Sequence, residues 1–114
     1  MITVKRVYEA PAKTEGFRIL VDRLWPRGLT KEKAKVDLWL RDLAPSDDLR
    51  KWFGHNPQKW PEFKKRYFKE LEEKGELIDS IEKEVAGGKI TLLYAARNEE
   101  FNNAVVLKEY LETK

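Results

Sequence analysis

The stretch DRLWPRG, residues 22–28, combines side chains that bind anions with residues that end a strand. Arg23 and Arg27 carry planar guanidinium groups, each of which can donate two hydrogen bonds at once to a phosphate or a carboxylate. Asp22 can orient an arginine or act as a base, and Trp25 can wall a pocket. These residue types predict one half of a site for a small anionic ligand.

A second polar segment contains Arg97, Asn98, Asn102 and Asn103 and follows the apolar run at 89–96. It also opens the last helical pattern, and a helix N-terminus favours anions. In open α/β sheets, ligands bind outside the carboxyl ends of the parallel strands, so the two segments meet at one edge if their strands run parallel. The predicted ligand site then consists of Asp22, Arg23, Trp25, Arg27, Arg97, Asn102 and Asn103.

The same residues also have a purely structural interpretation. Trp25 could cover the core, and Pro26 to Gly28 could serve only as a turn. Arg23 could belong to an ordinary ion-pair network with a nearby aspartate, among Asp22, Asp37, Asp42 and Asp47. The sequence alone leaves a binding site and a well-anchored turn both open.

The elements that would carry these residues follow from hydrophobic patterns. Alternating or continuous apolar residues predict strands at 2–8, 17–22 and 89–96. Helical patterns follow the N-cap candidates Thr30 and Ser46 and also cover 62–74, 76–86 and 99–113. The sequence predicts one α/β domain over 1–114, with a small, mainly parallel three- to four-stranded sheet flanked by helices on both faces, a Rossmann-like layering.

The first connection, EAPAKTEG, is short for a crossover between parallel strands, which needs a dozen or more residues. The residues themselves therefore favour a hairpin between the first two strands.

Composition excludes several classes of protein. Hydrophobic residues make up 41% and aromatic residues 11%, which excludes a disordered chain. There is no cysteine, hence no disulfide and no thiol nucleophile, and no histidine or carboxylate spacing predicts a metal site. No apolar run is long enough to span a membrane and no signal peptide is evident, so we expect a cytoplasmic protein. The 38% of charged residues, with one Gln, one Met and no Cys, resemble a thermophile's usage.

The net charge of +3 and the pI of about 9.1 are mildly basic, so a small anion is as plausible a partner as a polyanion. Basic residues at 31–41 and 59–66 keep nucleic-acid binding as an alternative, and a protein-interaction module is a further one. His55, in GHNP, is typical of a cap or an exposed loop residue. No serine lies in a nucleophile-elbow context.

Four stretches resemble the YeaO-like group of domain-of-unknown-function family 488: VKRVYEAP, RILVDRLWPRG, DLAPSDDLRKWFGHNPQKWPEFKKRY and TLLYAARNEEFNNAVVLKEYL. The resemblance implies a compact protein of bacteria and archaea and gives no established activity. Longer relatives carry a D-V-R-x-x-P stretch matching Asp22, Arg23 and Pro26. They also carry a Cys-His-Arg stretch near Phe101, Asn102 and Asn103. The cysteine is absent here, so thiol chemistry does not transfer. In those relatives the first connection resembles a helix between parallel strands, which opposes the hairpin and leaves the two topologies equally open.

The leading functional hypothesis is a small anionic ligand clamped by Arg23 and Arg27, with hydrogen bonds from Asn102 and Asn103. If the protein is an enzyme, hydrolysis or transfer at a phosphate or ester fits these groups best. The sequence identifies no cofactor and no catalytic residue.

Overall fold

The computed structural model describes residues 1–113 and contains a four-stranded, all-parallel sheet with strand order β1-β4-β2-β3. Its strands are β1 Ile2–Arg6, β2 Phe17–Leu20, β3 Leu38–Trp39 and β4 Ile90–Tyr94. Ile90 is in register with Ile2 on one side and with Phe17 on the other. The predicted α/β fold is confirmed, and the short strand β3 is one that the sequence patterns missed.

Within residues 1–113, five helices accompany the sheet: α1 Lys31–Ala34, α2 Asp47–Phe53, α3 Trp60–Glu72, α4 Gly75–Ala86 and α5 Asn103–Glu112. Short 3₁₀ turns cover Lys13–Glu15, Arg41–Leu43 and Pro57–Lys59. The predicted caps are confirmed. The Thr30 hydroxyl accepts from the Lys33 amide at 3.2 Å, and the Ser46 hydroxyl accepts from the Leu49 amide at 3.1 Å.

Of the two topologies left open for the first connection, the hairpin is wrong. β1 and β2 both pair parallel with β4 and lie on opposite sides of it. Residues 7–16 cross over by a compact 3₁₀ turn in place of a helix. At the end of this turn Gly16 has φ +69°, and a Cβ there would lie 2.1 Å from the Lys89 carbonyl oxygen. Glycine therefore permits the close backbone approach on which the short crossover depends.

The two faces of the sheet are covered differently. Ile19, Val21 and Leu92 point into a large apolar core built with α2, α3, α4 and α5. Leu20 and Leu93 point to the opposite face, where a smaller core contains buried residues Val7 and Ala34 and the flanking Trp25, Leu29, Val36, Trp39 and Ala95. Strand alternation thus places helices on both faces, with only the single turn α1 on the second.

Part of the second face is held by buried charges. The Glu15 carboxylate pairs with Lys5 and with Arg18, whose side chain is buried. Arg18 also donates from Nη2 to the Ala34 carbonyl at 2.7 Å and from Nε to the Lys35 carbonyl at 3.0 Å. We call Lys5, Glu15 and Arg18 the Glu15 cluster. It ties the first crossover and α1 to β2, which fixes the strand that leads into residues 22–28.

Candidate ligand-binding site

A cavity of about 450 Å³ opens at the carboxyl edge of the sheet. The loop after β2 supplies one wall, and the residues that follow β4 and begin α5 supply another. The third wall comes from α2 and its flanks, together with Phe63 of α3. Because β2 and β4 run parallel, the two polar segments that the sequence singled out do meet at one edge.

Asp22 joins these walls. Its carboxylate accepts a hydrogen bond from the Ala95 amide at 2.8 Å and one from the Asn103 side-chain amide at 3.2 Å. The same Asn103 nitrogen donates to the Val21 carbonyl at 2.9 Å, and the Trp39 indole donates to the Asp22 carbonyl at 2.8 Å. Asp22 therefore connects the ends of β2 and β4 to the start of α5.

Burial raises the pKa of the Asp22 carboxyl above its usual value. The hydrogen bonds from Ala95 and Asn103 and the charge of Arg50 act in the opposite direction but do not cancel the effect. The carboxyl oxygens both have donors, so the arrangement holds Asp22 as a positioning group.

Among the described residues, three arginines, Arg23, Arg27 and Arg50, line the cavity, and Asp22 is the only lining residue with a carboxylate. Arg23 Nε is buried without a hydrogen-bond partner among residues 1–113, and it forms an ion pair with Asp47 Oδ1 at 3.6 Å. That carboxylate is already hydrogen-bonded to Arg50.

The Arg27 side chain is exposed and makes neither a hydrogen bond nor an ion pair within the described part of the chain. Its backbone carbonyl, in contrast, accepts from the Tyr8 hydroxyl at 2.9 Å, which fixes the loop across the mouth of the cavity. The guanidinium is thus free to bind a ligand while its backbone is held.

The rest of the lining is largely apolar. Phe53 and Phe63 have ring centroids 4.4 Å apart, and Phe101 also contributes to the wall. Trp25 lines the opposite side, donates from its indole to the Leu29 carbonyl at 2.7 Å and packs edge-on against Trp39 at 5.5 Å. Trp25 therefore serves both as cavity wall and as part of the smaller core.

Six of the seven predicted site residues line this cavity, and Arg97 does not. Arg97 lies instead in an adjoining surface depression. The Asn102 side chain lines the cavity but is engaged as the N-cap of α5: it accepts from the Val105 amide at 3.0 Å and donates to the Asn98 carbonyl at 2.9 Å. The Arg23–Asp47 contact also matches the ion-pair interpretation.

Sequence reasoning missed Arg50, Tyr8 and the phenylalanine wall as lining residues, and it regarded His55 as a loop residue. His55 is exposed, has φ +57° and lies at the rim of the cavity. Arg50 follows Asp47 by one helical turn, a spacing that predicts only a local ion pair. No local pattern would have indicated that Arg50 faces the strand ends.

Within residues 1–113, no three His, Cys, Asp or Glu side chains are grouped so that they could hold a metal ion. In the same part of the chain, no helix has the length and apolar character needed to cross a membrane.

A family model described as the inactive DUF488-N3 subclade matches residues 1–114, the whole chain. Uncharacterised protein YeaO of Escherichia coli strain K12 is 39% identical over 115 residues, which cover 98% of this chain and 97% of YeaO. Uncharacterised protein Rv3073c of Mycobacterium tuberculosis strain H37Rv is 37% identical over 110 residues, covering 96% and 92% of the two chains. The search of solved structures gave no significant match.

Proposed function

Because the chain belongs to the inactive DUF488-N3 subclade, we propose that it binds a small phosphate- or carboxylate-bearing molecule in this cavity without transforming it. The observation that carries the proposal is the excess of cationic over anionic side chains at one edge of the sheet, where the Arg27 guanidinium has no partner among the described residues and Arg23 and Arg50 share Asp47. Arg23, Arg27 and Arg50 line a cavity whose own carboxylate, Asp22, is occupied by two hydrogen bonds.

Arg27 supplies the primary anion contact, since its guanidinium is exposed and otherwise unused. Arg23 adds a second contact through its guanidinium, whose Nε makes no hydrogen bond among the described residues and forms only a 3.6 Å ion pair with Asp47. Asp22 and Asn103 hold the loop and α5 in position, and Asn102 caps the helix. In this proposal the asparagines position the site and do not contact the anion.

The apolar wall defines the other half of the ligand. A bare inorganic anion makes no favourable apolar contact with the rings of Phe53, Phe63 and Phe101. An aromatic or aliphatic group on the ligand would be stabilised by burial against these rings. We therefore expect phenyl phosphate to bind more tightly than inorganic phosphate.

A cytoplasmic location and a thermophilic source both stay predictions made from the sequence.

Isothermal titration calorimetry with phenyl phosphate tests the proposal. We expect Arg27→Ala to lower the affinity about tenfold or more, because a charge-assisted hydrogen bond is lost. Lys65→Ala is the matched control, since it removes one positive charge from an exposed position of α3 outside the cavity. Equal affinities for wild type and Arg27→Ala, or no binding by wild type, would overturn the proposal. Release of phosphate by the wild type, absent from the variant, would contradict binding without turnover.

Nucleic-acid binding has weaker support from the geometry. In the basic segment 59–66, Arg66 pairs with Glu62 at 3.1 Å and Lys64 with Glu109 at 3.0 Å. A polyanion must displace these carboxylates. Calorimetry with a single-stranded oligonucleotide at two salt concentrations separates the two functions, because phosphate-backbone contacts give a steep salt dependence.

A further inference from the structure

A second depression adjoins the cavity and shares four lining residues with it: Tyr8, His55, Ala95 and Ala96. The residues that belong to the depression alone are Arg6, Arg97 and Asn98. The two spaces therefore meet at the end of β4, where Ala95 and Ala96 contribute small uncharged side chains to the shared wall.

The cations of this depression are available to a ligand. Arg97 is exposed, and its side chain makes no hydrogen bond or ion pair with any described residue. Arg6 is anchored from Nε to the Ala95 carbonyl at 3.3 Å and the Ala96 carbonyl at 3.1 Å, and its guanidinium lies 4.8 Å from the centre of the Tyr8 ring. These contacts hold Arg6 over the shared wall and leave its terminal nitrogens out of the hydrogen bonds.

The surroundings also contain acids, which limits what the depression can hold. Glu9 and Glu99 lie near Tyr94, yet neither lines the depression. The positive charge is confined to Arg6 and Arg97, which suits one anionic group delivered in a fixed position.

Resting on the function proposed above, we infer that the ligand carries two anionic groups joined by an uncharged spacer. One group binds Arg23 and Arg27 in the cavity, and the other binds Arg97 and Arg6 in the depression. The spacer crosses the shared wall at Ala95. Joining two weak sites in one molecule raises affinity without further contacts, because the second binding event becomes intramolecular.

The test compares alkylphosphonates with alkane-α,ω-diphosphonates of equal carbon number, over a series of chain lengths. At one optimal chain length, we expect the affinity of the diphosphonate to exceed that of the matching monophosphonate by about tenfold or more. At shorter and longer chain lengths we expect a smaller gain. Arg97→Ala removes this gain and leaves monophosphonate affinity unchanged, whereas Arg27→Ala weakens both. Lys65→Ala changes neither.

Two failures are distinguishable. If monophosphonates bind and Arg27→Ala weakens them, but no diphosphonate gains affinity or the gain survives Arg97→Ala, the second subsite is refuted and the proposed function stands. If neither series binds to the wild-type protein, both the second subsite and the proposed function are refuted.

Discussion

Replacing Arg18 by leucine removes the centre of the Glu15 cluster and tests how the second face of the sheet is held. The guanidinium pairs with Glu15 and donates to the carbonyls of Ala34 and Lys35, and the residue is 4% exposed. Leucine fills much of the space but satisfies none of these acceptors. The variant therefore leaves a buried carboxylate with one fewer partner.

Breaking a buried ion pair by removing one partner costs about 3–5 kcal/mol of unfolding free energy. Glu15 keeps its contact with Lys5, so we expect the lower end, about 3 kcal/mol. For a chain of this size, about 4 °C of Tm per kcal/mol makes that a fall of roughly 12 °C.

Urea unfolding followed by circular dichroism measures the loss directly, with an unchanged m-value showing that the denatured state is the same. Arg97→Leu is the matched control: the same substitution at an exposed site is expected to change stability by less than about 0.5 kcal/mol. In a Glu15→Gln background the Arg18→Leu cost shrinks, because the pair is already neutralised. A loss below about 1 kcal/mol, or additive costs of Glu15→Gln and Arg18→Leu, would refute the reasoning.

Three further outcomes follow from the same geometry. Gly16→Ala forces a Cβ into the Lys89 carbonyl at a positive φ, so it is expected to cost more than about 2 kcal/mol, measured by urea unfolding; a neutral effect contradicts the close approach. Ser46→Ala removes both the α2 cap and a 2.6 Å bond to Glu70, for a loss of about 1–2 kcal/mol in the same assay. Asp22 has a folded-state pKa above its ordinary 3.8, so the native state binds the extra proton and stability falls as pH rises from about 3.8 through the folded pKa. The wild type should lose this stability relative to Asp22→Asn in unfolding curves across that range, and parallel pH profiles would contradict it.

Much of the fold was predictable because its signals are local. Ser46 and Thr30 carry the hydroxyls that cap their helices, and the buried strands ending near Val21 and Tyr94 have continuous apolar patterns. Ligands bind at the carboxyl ends of parallel strands, so these strands predicted that the two polar segments meet at one edge. Residues of both segments line one cavity.

The remaining features depend on non-local placement. The hairpin, one of two topologies left open for the first connection, was wrong because β4, distant in sequence, inserts between β1 and β2. No pattern within residues 7–16 reveals that insertion. Strand β3 has only two residues, Leu38 and Trp39, which are too few to show the alternation of apolar and polar side chains that predicts a strand. Its pairing with β2 is a tertiary contact.

The site shows the same limit at the level of side chains. Arg97 follows β4 by three residues, beyond the point where strand alternation fixes direction, and it falls into the neighbouring depression. Arg50 reaches the cavity only because α2 packs beside the strand ends. A short chain segment specifies which residues are cationic, whereas the packing of several elements decides which cations share a cavity.

Amide chemical-shift mapping with phenyl phosphate on the ¹⁵N-labelled protein tests the central claim most directly. We predict shifts confined to 22–28, to Ala95 and Ala96, and to 101–103, saturating with one site and reduced in Arg27→Ala. Shifts absent from these residues, or spread over 31–41 and 59–66 only with oligonucleotides at low salt, would contradict a small-anion site at the strand ends.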